Sequence, residues 1–399
     1  MCWRIISDSV SDAMSLPFRI GSLSFRTRWM KTRFPFKYGI ASMTELPHVF
    51  GVAEGSLGGA PWCGLASEGL PPKWFTKNPD TCFEEDLPAM VESIRHACDL
   101  VENSAHESVF AAWRSLHEEQ DRWAREKGYP PLLAHLGTAL VERMLIDGYC
   151  RGAGLSFPEA VGTNSFGIDL GCLHPELAGT EPGEWLAGPG ESIVVRHTVG
   201  LGDPLRAGDI PEDEGIDDGL PHALLEAIRH YGLTHFKIKV CGSLEVDVPR
   251  LKDVAAVLSE ASPGFRYTLD GNEQFRDIAT FREHWEAYRA EPGLAVLFES
   301  DRLLFVEQPL HRDVALAESV RDELAAWDEA PSMIIDESDG ELDCMRRALA
   351  LGYRGTSHKN CKGVIKGLAN RCLIEWCRRQ QPEEGPWLMS GEDLANVGP

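Results

Sequence analysis

Five ionisable residues recur between positions 239 and 359 at intervals that one strand–helix unit can span. Asp270 lies 31 residues after Lys239, Glu307 a further 37, Asp336 a further 29 and Lys359 a further 23. A strand, a helix and two loops need about 25–40 residues, because a whole βαβ unit takes about 30 or more. Each of the five closes a short apolar run: His235-Phe-Lys-Ile-Lys-Val240, Tyr267-Thr-Leu-Asp270, Leu304-Phe-Val-Glu307, Met333-Ile-Ile-Asp336 and Tyr353-Arg-Gly-Thr-Ser-His-Lys359. In a parallel barrel the C-terminal strand ends converge on one mouth. Three carboxylates and their lysines would then face one cavity, as hard oxygen ligands for a divalent cation with bases beside them.

The elements that must position these residues follow from the same alternation. Apolar runs of strand length separated by helical periodicity are the signature of βαβ units in a parallel sheet. Helices are expected over 219–231, 244–260, 275–290, 311–328, 340–352 and 363–380. A first barrel strand is expected at Ser192-Ile-Val-Val-Arg-His-Thr198 and a seventh at Trp387-Leu-Met-Ser390. Seven strands are thus counted, and an eighth has no residues left to form it. Upstream, 17–70 alternates polar and apolar positions and reads as antiparallel strands. These are interrupted by an aromatic loop at Arg33-Phe-Pro-Phe-Lys-Tyr-Gly39 and a second loop at Gly58-Gly-Ala-Pro-Trp-Cys-Gly64. Three helices are expected over 83–101, 106–127 and 132–150, the last the most apolar and therefore central. The organisation expected is a leader over 1–16, disordered or an artefact of the assigned start, an α+β capping domain over 17–190 and a barrel over 191–399.

Composition narrows the function classes. A net charge of −23 argues against nucleic-acid binding, which needs clustered Lys and Arg for phosphate contacts. No apolar run reaches the roughly 20 residues of a membrane helix. The cysteine count is odd, at 11, and no Cys-x-x-Cys pair occurs, so reduced thiols in a cytoplasmic protein are expected rather than a disulfide framework.

Lys237-Ile-Lys239, Asp270-Gly-Asn272, Glu307-Gln-Pro309, Asp336-Glu-Ser338 and Lys359, in this order, resemble the enolase superfamily. The likeness is closest to the mandelate racemase and muconate-lactonizing enzymes. It extends upstream to Ala139-Leu-Val-Glu-Arg-Met-Leu-Ile-Asp147 and Gly154-Leu-Ser-Phe-Pro158, and covers the chain from about residue 17. Lys-x-Lys on the second strand and Lys on the sixth is similar to the muconate-lactonizing subgroup; a His–Asp pair would mark mandelate racemase itself. The resemblance implies an α/β fold, a TIM-like (β/α)7β barrel behind an α+β cap, here without its last strand. It also implies Mg²⁺, with Mn²⁺ as a substitute, held by Asp270, Glu307 and Asp336, and Lys239 and Lys359 as the acid–base pair. Lys237, on the same face of its strand as Lys239, would supply a cationic neighbour, and a lysine beside cations is pushed towards its neutral form.

Asn272 would orient Asp270 or touch substrate, Glu392 would face the substrate from the seventh strand, and Arg33, Tyr38 and Trp62 would select it from the cap. His358 points away from Lys359 by strand alternation. The reaction implied is abstraction of the proton α to a carboxylate, leading to racemisation, epimerisation, cycloisomerisation or dehydration, in a homo-oligomer. The alternatives are an acid-sugar dehydratase, which would more naturally carry a His on the seventh strand, and a truncated homologue acting as a scaffold.

Overall fold

A computed structural model describes residues 17–38 and 41–392, without the side chains at 36–38 and 41. The expected leader, and whatever follows the seventh strand, lie outside these residues. The fold is α/β. Strands β1 (Phe18–Tyr38), β2 (Ala41–Leu57), β3 (Ala60–Gly69) and β4 (Ala105–His106) form an antiparallel sheet in the order β3-β2-β1-β4. Helices α1 (Phe83–Val101), α2 (Val109–Lys127) and α3 (Pro131–Ala153) pack against it. Helix α3 is apolar almost all round and is buried along its length, as such a pattern requires.

The two stretches expected as loops belong to the strands. Gly58 and Gly59, both at positive φ, turn β2 into β3, and the rest of 60–64 is already strand. At 33–38 the chain stays in β1, but the register jumps from Lys31↔Glu45 to Phe36↔Met43. That bulge puts Arg33, Phe34 and Pro35 out of the ladder, the usual way a strand re-aims side chains.

Seven parallel strands follow: β5 (Arg196–Val199), β6 (His235–Lys239), β7 (Arg266–Asp270), β8 (Leu303–Glu307), β9 (Met333–Ile334), β10 (Gly355–Lys359) and β11 (Leu388–Glu392). The first five form one sheet and the last two another, joined by a single bridge between Ile335 and Thr356. Among the described residues no strand pairs with the outer edge of β5 or of β11. The first of these strands is shorter than expected. Pairing begins only at Arg196↔His235, and Ile193 is 90% exposed, because apolarity makes no strand where β6 offers no partner.

The intervening helices are α4 (Leu224–Tyr231), α5 (Leu244–Ala261), α6 (Ile278–Ala290), α7 (Ser319–Ala325), α8 (Cys344–Leu351) and α9 (Val364–Gln380). Helix α6 starts at 278 because the Asp277 side chain accepts from Thr280 N at 2.7 Å and caps it. The helix expected over 311–328 shrinks to α7, because Arg312 is drawn away to bind Glu273 through both backbone and guanidinium. Two apolar cores result. One lies under β5–β9, and the other joins the N-terminal sheet and helices to α9 and Trp387. No helix among the described residues is long and apolar enough to cross a membrane. The ten cysteines among them are free.

Candidate active site

The strand ends are shaped by their own sequences. After Asp270 and after Glu307 the chain turns through left-handed backbone at Asn272 (φ 44°), Glu273 (φ 63°) and Gln308 (φ 36°). Such conformations cost about 1–3 kcal/mol each at non-glycine residues and cluster at functional sites. A Cβ on Gly271 would lie 2.6 Å from Pro309 Cα, so the Asp-Gly-Asn and Glu-Gln-Pro turns pack only because glycine stands there. Gln308 then clamps the next strand end. Its amide donates to Leu310 O and Ser338 Oγ, and its Oε1 accepts from the backbone N–H of Asp336 at 2.6 Å.

These turns open on a cavity of about 840 Å³ lined by Lys237, Lys239, Asp270, Asp336, Lys359 and Glu392, among others. Glu307 lies behind them, fully buried. Lys237 Nζ sits 2.9 Å from Asp270 Oδ2, 3.1 Å from Glu307 Oε1 and 2.6 Å from Glu392 Oε1. Lys359 Nζ reaches both Asp336 oxygens at 2.6 Å and Glu392 Oε2 at 3.0 Å. Lys239 Nζ donates to Asn272 Oδ1 at 2.9 Å, and the Asn272 amide in turn donates to both oxygens of Asp270 at 3.0 Å. Asn272 thus orients the carboxylate and one lysine at once.

The electrostatics keep Lys237 the cation it was expected to be and differ from the expectation for Lys359. Burial works against their charged forms. For Lys237, however, Asp270, Glu307 and Glu392 outweigh it and hold the pKa well above the ordinary value. For Lys359, Asp336 and Glu392 do the same. The carboxylates here, not a neighbouring cation, decide the sign. Burial raises Glu307 to about 7, helped by Glu392. Asp336 resists its own burial through Lys359 and Lys362 and falls to about 2.

Glu307, Asp336 and Glu392 can each place a carboxylate oxygen within 4.8 Å of the others. An all-oxygen set of this kind, with Glu307 and Asp336 buried and Glu392 partly so, fits a hard divalent cation such as Mg²⁺. Asp270, the third carboxylate expected there, stands next to that group, with the Lys237 ammonium between it, Glu307 and Glu392.

Two of the three cap residues are placed. Arg33 lines the cavity mouth and grips Asp218 through Nε and Nη2 at 2.7 and 2.6 Å. Trp62 does not reach the cavity. It is buried in the N-terminal core, stacked on Phe18 at 5.2 Å and fitted against Gly55, Gly148 and Gly152, whose missing side chains make room for the indole. Tyr38 ends β1, and its side chain lies outside the described residues. His358 faces away from the cavity, against Gly367.

Several residues of the site were not anticipated. Lys362, on the turn Asn360–Lys362, holds Asp336 Oδ1 at 2.7 Å and Ser357 O at 2.6 Å. Its spacing of three from Lys359 was the available signal. Arg196 on β5 contacts Glu392 at 2.5 Å and Glu307 at 3.4 Å. From the stretch after β3, Trp74 lies 5.3 Å from Lys359 Nζ, ring centroid to nitrogen, and Lys77 binds Glu273 at 2.9 Å. The run Lys73-Trp-Phe-Thr-Lys77 carried their chemistry without showing where it points.

No protein-family model matches the chain, and no curated protein matches it. Solved structures do. The mandelate racemase/muconate lactonizing protein from Herpetosiphon aurantiacus is 16% identical with TM-score 0.59, the alignment covering 96% of this chain and 84% of that one. An enolase from Bradyrhizobium complexed with magnesium and mandelic acid is also 16% identical with TM-score 0.59, over 95% and 82%. The N-succinyl Arg/Lys racemase from Bacillus cereus is 14% identical with TM-score 0.61, over 95% and 80%. The chain has the fold of the mandelate racemase and muconate-lactonizing enzymes of the enolase superfamily.

Proposed function

We infer that the protein is a Mg²⁺-dependent enzyme that removes the proton α to a carboxylate and returns one to the product, as a racemase, epimerase, cycloisomerase or lyase. The observation that carries this reading is the convergence of Lys239 and Lys359 on one cavity with Asp270, Asp336 and Glu392, over a buried Glu307. Glu307 and Asp336 would hold the ion, and Asp270 and Glu392 each offer it a further oxygen. Bound there, Mg²⁺ would supply positive charge to the substrate carboxylate as the α-proton leaves, lowering a barrier that no side chain lowers alone.

The chain's own residues do the rest. Lys359, between Asp336 and Glu392, and Lys239, steadied by Asn272, are the acid–base pair that would remove and return the proton at Nζ. Trp74 stands over Lys359 and Lys362, and Lys237, Lys239 and Lys359 are nearly buried, where charge interactions are stronger than in open water. A dehydratase using a histidine on the seventh strand is disfavoured, since Leu388–Glu392 carries none.

Calorimetry of Mg²⁺ binding to the wild type and to Glu307→Gln is the first test. Binding that the substitution abolishes supports the site. Exchange of substrate α-hydrogen with deuterated solvent across a panel of α-substituted carboxylates then tests the chemistry. No Mg²⁺ binding with or without carboxylate, together with no exchange, would sink the reading.

A further inference from the structure

A cavity of about 840 Å³ is far larger than a carboxylate and its α-carbon need, and it falls within the roughly 300–1,000 Å³ of small-molecule sites. The strand ends and their turns supply only part of its wall. Six charged side chains line the remainder: Arg33, Lys73, Lys77, Asp203, Glu214 and Arg312. Five of them are engaged. Arg33 Nη2 lies 2.6 Å from Asp218 Oδ1, Lys73 Nζ lies 2.6 Å from Asp86 Oδ2, and Lys77 and Arg312 share Glu273 at 2.9 and 2.7 Å. Asp203 accepts from the Gly200 N–H at 2.7 Å. Glu214 has no ion pair among the described residues, but it is exposed, so water screens it.

Two histidines also line this part of the wall. Burial holds His197 and His222 below their ordinary pKa, so neither brings a charge near neutral pH. What lies between these groups is carbon. Phe34 leaves the β1 ladder at the bulge and stacks flat on His222, with ring centroids 3.5 Å apart. Met43 comes from β2, Trp74 from the stretch after β3, and Pro221 from the stretch before α4. A charged group entering here would shed its water and find no free counter-charge inside the wall, which is costly. An apolar group loses nothing by leaving water and is stabilised by the area it buries.

We propose that the substrate is a carboxylate whose far end is uncharged and apolar, seated against Phe34, Met43, Trp74 and Pro221. This deepens the carboxylate reading above and rests on it. The probes are ω-phenyl carboxylates from phenylacetate to 5-phenylpentanoate, each also with a para-carboxylate or a para-aminomethyl group, and acetate, which keeps the head alone. Binding is measured by ligand-observed NMR in saturating Mg²⁺, on the wild type and on Phe34→Ala.

At one chain length or more, the plain phenyl probe should bind the wild type about tenfold more tightly than acetate and than both charged counterparts. Phe34→Ala should narrow those margins by about threefold or more. A charged counterpart that matches the phenyl probe at every length, a phenyl probe no better than acetate, no binding of any probe, or margins that persist in Phe34→Ala overturns the proposal. The wild-type comparison stands even if the variant misfolds. The two readings also fail separately. A phenyl preference without α-hydrogen exchange removes the proton-transfer chemistry and keeps the apolar wall, whereas exchange without the preference does the reverse.

Discussion

The floor and the mouth of the cavity follow different rules. The floor is made by strand ends. Its ionisable groups are almost all buried, most are held by two or more partners, and the turns that carry them use left-handed residues and one obligatory glycine. The mouth is made by a bulged hairpin and by the stretch between β5 and α4. There Arg33 reaches Asp218 and the carbonyl oxygens of Leu220 and Pro221, and Phe34 stacks on His222 at 3.5 Å. The side chains of Arg33 and Asp218 are 29% and 36% exposed, so water competes for every contact. Charge placed in the floor is therefore expected to govern the rate of the chemical step. Charge placed in the mouth is expected to govern which molecules enter and how tightly they are held.

The strongest way to break this contrast is to remove a floor lysine. Lys359→Met and Lys239→Met should each slow α-hydrogen exchange by about 10²–10⁴-fold, the range for losing a positioned acid or base. Lys359→Arg should keep the charge beside Asp336 and stay folded, yet lose most of the rate, because guanidinium does not deliver its proton. Exchange within about threefold of wild type in any of the three would move the chemistry off the floor.

A second test lies in the frame beneath the floor. Helix α9 begins at Val364 after Gly363, which has no side chain to cap it, and Glu142 of α3 accepts from the Val364 N–H instead. Burial nonetheless pushes the Glu142 carboxyl up to about 8. Its folded-state pKa thus exceeds its unfolded value of 4.5, so the stability it contributes is present below about 4.5 and is lost as pH rises towards about 8. Chemical denaturation of the wild type between those limits should show falling stability, by up to about 5 kcal/mol. Glu142→Gln should flatten the curve. An unchanged slope in the variant would assign the pH dependence to other groups.

Glycines in the frame come next. At Gly355 an added Cβ would meet Leu388 O at 1.7 Å, across the only pairing that holds β11 to another strand among the described residues. Gly355→Ala should cost about 1–3 kcal/mol and loosen Glu392, which sits at the end of β11. Lower stability with Mg²⁺ affinity intact would show that Glu392 does not depend on that pairing for its place.

The same contrast decides what could be read from the residues alone. Lys239, Asp270, Glu307, Asp336 and Lys359 were legible because a βα unit repeats, and strand ends in parallel folds have one destination. The helices over 83–101, 244–260 and 363–380 were legible because their apolar spacing is long enough to fix both type and place. What could not be read depends on contacts distant in sequence. Trp62 sits in a string of Gly, Ala and Pro that resembles a loop, and only Gly55, Gly148 and Gly152 together reveal the slot that buries it. Arg312 stands in a stretch of helical pattern, and nothing nearby announces Glu273. The mouth was the least legible, because a bulge changes register without changing composition.

Arg33 should give the smallest effect and the sharpest distinction. Its guanidinium meets Asp218 through two nitrogens and two oxygens, the strongest geometry available to an ion pair, and Asp218 is drawn down to about 2 chiefly by that hydrogen bond. Even so, the pair lies at the surface and is screened by salt. Arg33→Ala should release the bulge from the 218–221 segment and leave Lys239 and Lys359 where they are. KM for an exchanging substrate should rise about two- to fivefold while kcat stays within about twofold, the pattern of lost uniform binding. The wild-type KM should drift upwards with added salt and the variant's should not. A kcat that falls in step with kcat/KM would mean that the mouth helps to assemble the transition state, and the division between floor and mouth would not hold.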